Sequence, residues 1–377
     1  MQAPSVTLGE RWFAFRNRLL ANPRFVRLAR SFPLTRPIAQ RRARALFDLC
    51  AGFVYTQVLL ACVRLQLFEA LAAGPRSAAD LARGLGLDEV AMVQLLEAAV
   101  TLKLVERRSA KGQFGLGALG AALLANPGVA ALVEHDALLY EDMRDPVALL
   151  RGEVHRPELA RYWPYAASAA PAALEPEHVS GYSALMAASL PLVAEELIDT
   201  YPIEQYRCLL DVGGGEGAFL LAAAARAPDL RLMLFDLPAV AARGRARLAG
   251  AGLSERATTF GGDFFKDELP QGADIASLVR VIHDHDDEHA LAILRAVRRA
   301  LPMNGILLLA EPMVGASGAE TVGAAYFAFY LRAMGRGRPR SPEVLAQLLH
   351  AAGFPYARLL PTRMPLQTQI IVASPKG

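Results

Sequence analysis

The residues best suited to chemistry lie in the second half of the chain, and the first of them form the loop Asp211-Val212-Gly213-Gly214-Gly215-Glu216-Gly217. The loop follows the apolar run Cys208-Leu209-Leu210 and precedes the alanine-rich stretch Ala218 to Ala227, so it reads as strand, tight turn and helix start. Glycines there let the backbone turn sharply and approach a ligand, while free N–H groups at the helix start attract an anion. Taken alone the loop is ambiguous. Gly213, Gly215 and Ala218 also fit the dinucleotide fingerprint, which an NAD-dependent oxidoreductase would carry. Two acids narrow the choice. Asp236 ends the next expected strand, where its carboxylate can accept both hydroxyls of a ribose. Asp263 follows the third strand in Gly261-Gly262-Asp263-Phe264-Phe265, where it can accept from an adenine amino group while Phe264 packs on the ring face. All three positions are strand C-termini, where an open α/β sheet binds its ligands.

Holding these groups in place calls for a particular succession of elements. Strands Cys208 to Val212, Arg231 to Asp236, Ala257 to Gly261, Ile275 to Ile282 and Gly305 to Glu311 alternate with helices Ala218 to Ala227, Ala239 to Gly250 and Asp287 to Ala300. That spacing indicates a parallel sheet with crossover helices. Tyr356 to Pro361 and Gln367 to Ala373 read as a closing strand pair, and Ser180 to Thr200 as one long helix. Nearer the start, Ser77 caps a helix that turns at Gly84-Leu85-Gly86, and Asp88 to Leu104 forms a second helix. Val105 to Arg108 and Gln113 to Leu116 then make a hairpin turning at Lys111-Gly112, which completes the winged-helix order. Asp88, Glu89 and Glu97 on the second helix would repel phosphate, so no nucleic-acid partner is expected.

A chain of 377 residues exceeds what one core usually organises. The reading is a basic arm over 1–45, a helical winged-helix-like domain over 46–180 and an α/β domain over 181–377. A hydrophobic content of 53% excludes extended disorder, and a net charge of +3 is too small to imply a polyanionic partner by itself. Cys50, Cys62 and Cys208 show neither disulfide nor zinc spacing, which fits a reducing cytoplasm and no metal. The polar Met1 to Glu10 is no secretory signal, and the greasy stretch Ala51 to Leu67, interrupted by Arg64, falls short of a membrane span. Arg11 to Arg44 interleaves arginines with Trp12, Phe13, Phe15, Phe25 and Phe32, and is divided by Pro23, Pro33 and Pro37. It suits either a peripheral membrane contact or a partner subunit. Ala45 to Leu71 is apolar on nearly all sides, as in a helix buried between neighbours, and is too apolar to face water, so a homodimer is expected.

The motifs Asp-Val-Gly-Gly-Gly-Glu-Gly, Phe235-Asp236-Leu237-Pro238, Gly262-Asp263-Phe264-Phe265 and Arg280-Val281-Ile282-His283-Asp284 occur in the order of the small-molecule O-methyltransferases, and the whole chain resembles that family. The resemblance implies a C-terminal Rossmann-like class I methyltransferase domain behind an all-helical winged-helix dimerisation domain. It implies S-adenosylmethionine as cofactor, with Asp211, Gly213, Gly215, Asp236, Leu237, Asp263, Phe264 and Arg280 around it. It makes His283 the general base and Glu311 the acid that orients the imidazole. Two positions depart from the family: Pro339 stands where plant members carry a second acid, and His285 where a tryptophan commonly follows.

Phe32 to Ala39, Arg42 to Tyr55, Asp284-His285-Asp286-Asp287 and Ala325 to Tyr330 resemble the carotenoid-modifying bacterial branch. That likeness implies a carotenoid substrate, methylated on the tertiary 1-hydroxyl of an acyclic chain. A polyene needs a long greasy pocket, for which Met186, Tyr326, Phe327 and Tyr330 are the main candidates, with Phe53, Tyr55, Phe329 and Met334 beside them and His135 and Tyr140 as further possibilities. The rival readings are a bacteriochlorophyllide C-methyltransferase of the same architecture and, more remotely, a winged-helix regulator.

Overall fold

The computed structural model describes residues 7–108, 112–168, 171–315, 321–363 and 368–376. Lys111 and Gln367, each expected at the edge of an element, lie outside them. The chain divides into two compact units, Met1–Ala122 and Leu123–Gly377. The division falls earlier than the boundary expected at 180, because helices Pro127–Asp142 and Pro176–Ser189 pack on each other and belong to the second unit.

In the first unit, Ser77 accepts from the Asp80 N–H to open helix Ala78–Leu85, Gly86 closes it at φ 72°, and Asp88 caps helix Glu89–Thr101 by accepting from Ala91. Strands β1 (Arg76–Ser77), β2 (Val105–Arg108) and β3 (Gln113–Leu116) form an antiparallel sheet in the order β1-β3-β2. This is the winged helix, and its core is Cys62, Leu67, Phe68, Leu71, Leu81, Met92, Leu96 and Ala99. Pro23 and Pro37 each stand in the first turn of a helix, where the missing N–H has no intrahelical acceptor to lose. Pro37 thus starts a helix of 29 residues, Arg36–Arg64, instead of dividing the segment.

That helix departs from expectation in burial as well. Leu60, Cys62 and Val63 are buried, but Leu46, Phe47, Leu49, Phe53 and Val54 are exposed within this chain. Its most apolar window has a mean hydropathy of 1.8 with 11% of it buried, so by length and composition it is sufficient to cross a membrane.

The second unit holds a seven-stranded sheet in the order β6-β5-β4-β7-β8-β10-β9. Its strands are β4 (Cys208–Val212), β5 (Arg231–Asp236), β6 (Ala257–Gly261), β7 (Ile275–Val279), β8 (Ile306–Glu311), β9 (Tyr356–Leu360) and β10 (Gln369–Ser374). The first five named in that order run parallel, and β10 pairs antiparallel with both β8 and β9. Val, Leu and Ile side chains of β4 and β7 are buried on both faces, as a helix-covered parallel sheet requires. The expected helix over 180–200 is two helices, Pro176–Ser189 and Pro191–Thr200, because Pro191 lacks the N–H needed to continue the first. Likewise β7 stops at Val279, where Arg280 takes φ 58° and turns the chain into a short 3₁₀ segment, Ile282–Asp284.

Candidate active site

The parallel strands bring their C-terminal ends side by side, and the polar groups follow in strand order. Near the end of β4, Asp211 receives the Ser277 hydroxyl on Oδ1 at 2.6 Å, while its buried Oδ2 has no hydrogen-bond partner among the described residues. Burial pushes its carboxyl up to about 7. The loop leaves no room for a side chain at Gly214, where a Cβ would come within 2.3 Å of that same Oδ2. At Gly215, φ is 58° and the space above the α-carbon is open, so a ligand can approach the backbone there. At the end of β5, Asp236 accepts from the Gly215 N–H at 2.8 Å and the Leu237 N–H at 2.7 Å, and burial lifts its carboxyl to about 6 despite these bonds. Beyond β6, buried Asp263 accepts from the Phe265 N–H at 3.0 Å and lies 3.4 Å from Lys266 Nζ.

Asp211, Gly213, Gly215, Asp236, Leu237, Asp263, Phe264 and Arg280 all line one cavity of about 140 Å³. The unpartnered carboxylate oxygen of Asp211, the open space over Gly215 and carboxylates at three strand ends fit a cofactor that is a cationic nucleoside. His285 packs edge-on against the Phe264 and Phe265 rings at 5.7 and 5.6 Å, and those two rings meet each other at 4.7 Å. Burial brings it down to about 4, so at neutral pH it is uncharged and fills an aromatic slot.

Glu311 ends β8 and organises the turn after β7. Its carboxylate accepts from the backbone N–H of Val281 at 3.0 Å and of Ile282 at 2.6 Å, and it meets His283 Nδ1 at 2.6 Å. The imidazole is therefore fixed with Nδ1 toward Glu311. Its Nε2 stands 3.1 Å from Asp284 Oδ1, whose other oxygen accepts from the Tyr165 hydroxyl at 2.7 Å. Burial favours the neutral ring, but the carboxylates of Asp284 and Glu311 outweigh it and raise the His283 pKa above the usual imidazole range. Arg340, itself buried, donates to the Ile282 and His285 carbonyls at 2.9 and 2.6 Å and so clamps the turn on both sides of His283. Asp284 thus places a second carboxylate beside the ring.

A second cavity, of about 640 Å³, contains His283 in its wall. Met186, Tyr326, Phe327 and Tyr330 line it, as do Met334, Leu132, Leu185 and Leu192. A π-helical turn, Val322–Tyr326, leads into helix Phe327–Met334 and sets these rings on the wall. The Tyr330 hydroxyl accepts from Trp163 Nε1 at 2.7 Å and meets His135 Nε2 at 2.7 Å, so His135 supports the wall from behind. Phe53 and Tyr55 belong to the first unit, and neither they nor Phe329 and Tyr140 line the cavity. Trp163, Met186, Arg280 and Asp284 line both cavities, which therefore adjoin. Trp163, Tyr165 and Asp284 were not singled out as site residues in the sequence. Asp284 was within reach, because it follows the candidate base directly.

Residues 140–355 match the O-methyltransferase domain and residues 47–126 the O-methyltransferase dimerisation domain. The chain belongs to the O-methyltransferase family. This methyltransferase is 44% identical to a demethylspheroidene O-methyltransferase of Cereibacter sphaeroides over 94% of its own length and 93% of the relative's. It is 39% identical to the enzyme of the same name from Rhodobacter capsulatus, over 95% and 89% of the two chains. Among solved structures it is similar to a methyltransferase of calicheamicin biosynthesis with S-adenosylhomocysteine bound, with TM-score 0.70, 28% identity, and coverage of 89% of this chain and 98% of that one. The methyltransferase uses S-adenosylmethionine as its methyl donor.

Proposed function

We propose that this methyltransferase acts on the tertiary 1-hydroxyl of an acyclic hydroxycarotenoid, converting demethylspheroidene to spheroidene or hydroxyneurosporene to methoxyneurosporene. The observation that carries the reading is His283: a ring fixed by Glu311 at 2.6 Å in the wall of an apolar cavity of 640 Å³. The names of the two carotenoid-enzyme relatives support the choice of substrate.

S-adenosylmethionine supplies an electrophilic methyl group on a cationic sulfur. Asp236 would accept the ribose hydroxyls, Asp263 the adenine amino group, and Phe264 with Leu237 would cover the base. Arg280 would hold the cofactor's carboxylate, and Asp211, once ionised, would add negative charge beneath the glycine loop. On the other side, Met186, Tyr326, Phe327 and Tyr330 hold the polyene so that its hydroxyl reaches His283 Nε2. A tertiary alcohol is far less acidic than a phenol, so the proton would pass to the imidazole as the oxygen bonds to the methyl carbon and the carbon–sulfur bond breaks, its electron pair leaving on neutral S-adenosylhomocysteine. Glu311 stabilises the cation formed on the ring, and Asp284 shares that task. In-line placement of the hydroxyl is the larger contribution, up to ~7–11 kcal/mol in ideal cases.

The protein works as a homodimer, in which a second copy covers the exposed apolar side of helix Arg36–Arg64. Its place is the cytoplasmic face of the inner or photosynthetic membrane, where a carotenoid dissolves. Incubation with methyl-labelled cofactor tests the reading. Label recovered as a methyl ether of demethylspheroidene supports it. Label recovered only on a ring carbon of bacteriochlorophyllide would replace it with the C-methyltransferase alternative.

A further inference from the structure

Helices Leu8–Leu20 and Pro23–Ser31 contain no buried residue, yet both are rich in large apolar side chains. Leu8, Trp12 and Phe15 follow one another at helical spacing along one stripe and are 85%, 61% and 56% exposed. The rings of Trp12 and Phe15 lie 6.0 Å apart, and the Arg16 guanidinium sits over Phe13 at 4.9 Å. In the next helix Arg24, Arg27 and Arg30 share one side, while Phe25 and Leu28 occupy the other. Between residues 11 and 44 the sequence has ten arginines and no acid. Where bonds to these arginines are described they run to neutral oxygens, from Arg16 to Asn17 and from Arg36 to the Arg30 carbonyl. A shallow hollow where the two helices join is lined by Arg18, Asn22, Arg24 and Arg27, so three guanidinium groups converge on one place.

We propose that the arm Leu8 to Arg44 is an anchor that lies in the interface of a bilayer containing anionic lipid. The apolar stripe enters the acyl boundary, and the arginines meet lipid phosphates, with the hollow at the helix joint taking a headgroup. Both halves of the pattern are needed to choose this occupant. Nucleic acid would use the guanidinium groups but leave Leu8, Trp12, Phe15 and Leu28 in water. A second copy would cover the apolar side chains but bring ten arginines against ten. The arm also precedes the matched dimerisation domain, which begins at residue 47.

The anchor's purpose, delivery of the site to a membrane-dissolved acceptor, rests on the carotenoid reading, but lipid binding is measured without any acceptor. The full chain is spun with phosphatidylcholine vesicles, with and without phosphatidylglycerol. Binding to the anionic vesicles and release at high salt are expected. The variant Arg24→Gln/Arg27→Gln/Arg30→Gln should weaken that binding about tenfold or more. Trp12→Ala/Phe15→Ala should weaken it too, with affinity for adenosylhomocysteine unchanged in both as a check on the fold. Three results would overturn the anchor: no binding, equal binding to neutral vesicles, or arginine substitutions that leave vesicle binding intact while changing oligomeric state or abolishing binding to duplex DNA. Vesicle binding without methyl transfer to a carotenoid would leave the anchor standing and remove the proposed substrate.

Discussion

The two adjoining cavities are built on opposite plans. The smaller one is held by backbone: its carboxylates accept from amide N–H groups at strand ends, so charge sits where the sheet fixes it. The larger one is held by side chains from separate helices, with Tyr326 tied to Asp136 and Tyr330 to Trp163. A cofactor shared by a whole family suits the first plan, because its contacts follow from the sheet itself. A substrate that differs from enzyme to enzyme suits the second, because walls of packed side chains change without disturbing the strands. His283 stands between the plans: its backbone turn is held by Glu311, and its ring faces the helical cavity.

The sharpest way to break this contrast is Glu311→Ala. It removes the acceptor of buried N–H groups and of the imidazole together, so the loss of kcat should exceed that of His283→Ala, and thermal unfolding should show a cost of about 3 kcal/mol or more. His283→Ala should lower kcat roughly 10²- to 10⁴-fold. Because His283 does not line the smaller cavity, titration calorimetry should find adenosylhomocysteine affinity within about twofold of the parent. A large loss of affinity there would join the two plans into one.

Asp236→Ala should act in the opposite sense, weakening adenosylhomocysteine by about 10- to 100-fold through a charge-assisted hydrogen bond worth roughly 1.5–3 kcal/mol. The pH dependence has a definite sign. Asp236 and Asp211 ionise near 6 and 7 in the folded chain, above the ordinary carboxylate range, so the ligand-free protein favours their protonated forms. Their stabilising effect is complete below about pH 4 and disappears as pH rises through 6 to 7. Cofactor affinity should run the other way, tightening over that window with release of protons, which calorimetry in two buffers of different ionisation heat would detect. The smallest effect is expected for Tyr330→Phe. It leaves Trp163 Nε1 without its acceptor and should cost about 1–3 kcal/mol in unfolding while changing KM more than kcat.

The glycines and carboxylates of the smaller cavity were legible in the sequence because they sit at strand ends, where local spacing determines spatial order, whereas its helical wall with Trp163, Tyr165 and Tyr182 was not. Asp211, Asp236 and Asp263 are far apart in the chain but fall at or just beyond the C-terminal ends of three neighbouring strands, β4, β5 and β6. The larger cavity was legible in part. Met186 and the cluster Tyr326 to Tyr330 stood out as apolar groups, but nothing in their spacing tied them to Trp163, or separated them from Phe53 and Tyr55. The contact of Asp284 with Nε2 escaped because neighbouring residues face each other only where the backbone turns tightly, as it does after the left-handed Arg280. The exposure of helix Arg36–Arg64 escaped because an apolar sequence shows that a cover is needed and says nothing of which molecule provides it.

The distribution of tryptophan gives the protein two built-in optical reporters. The chain has only two indoles, Trp12 on the basic arm and Trp163 in the wall common to both cavities. Their emission should differ from the start, since one side chain is wet and the other dry. Replacing either one with phenylalanine leaves a single indole to excite selectively, so vesicle docking and site occupancy can be followed separately, without a dye, in the two variants.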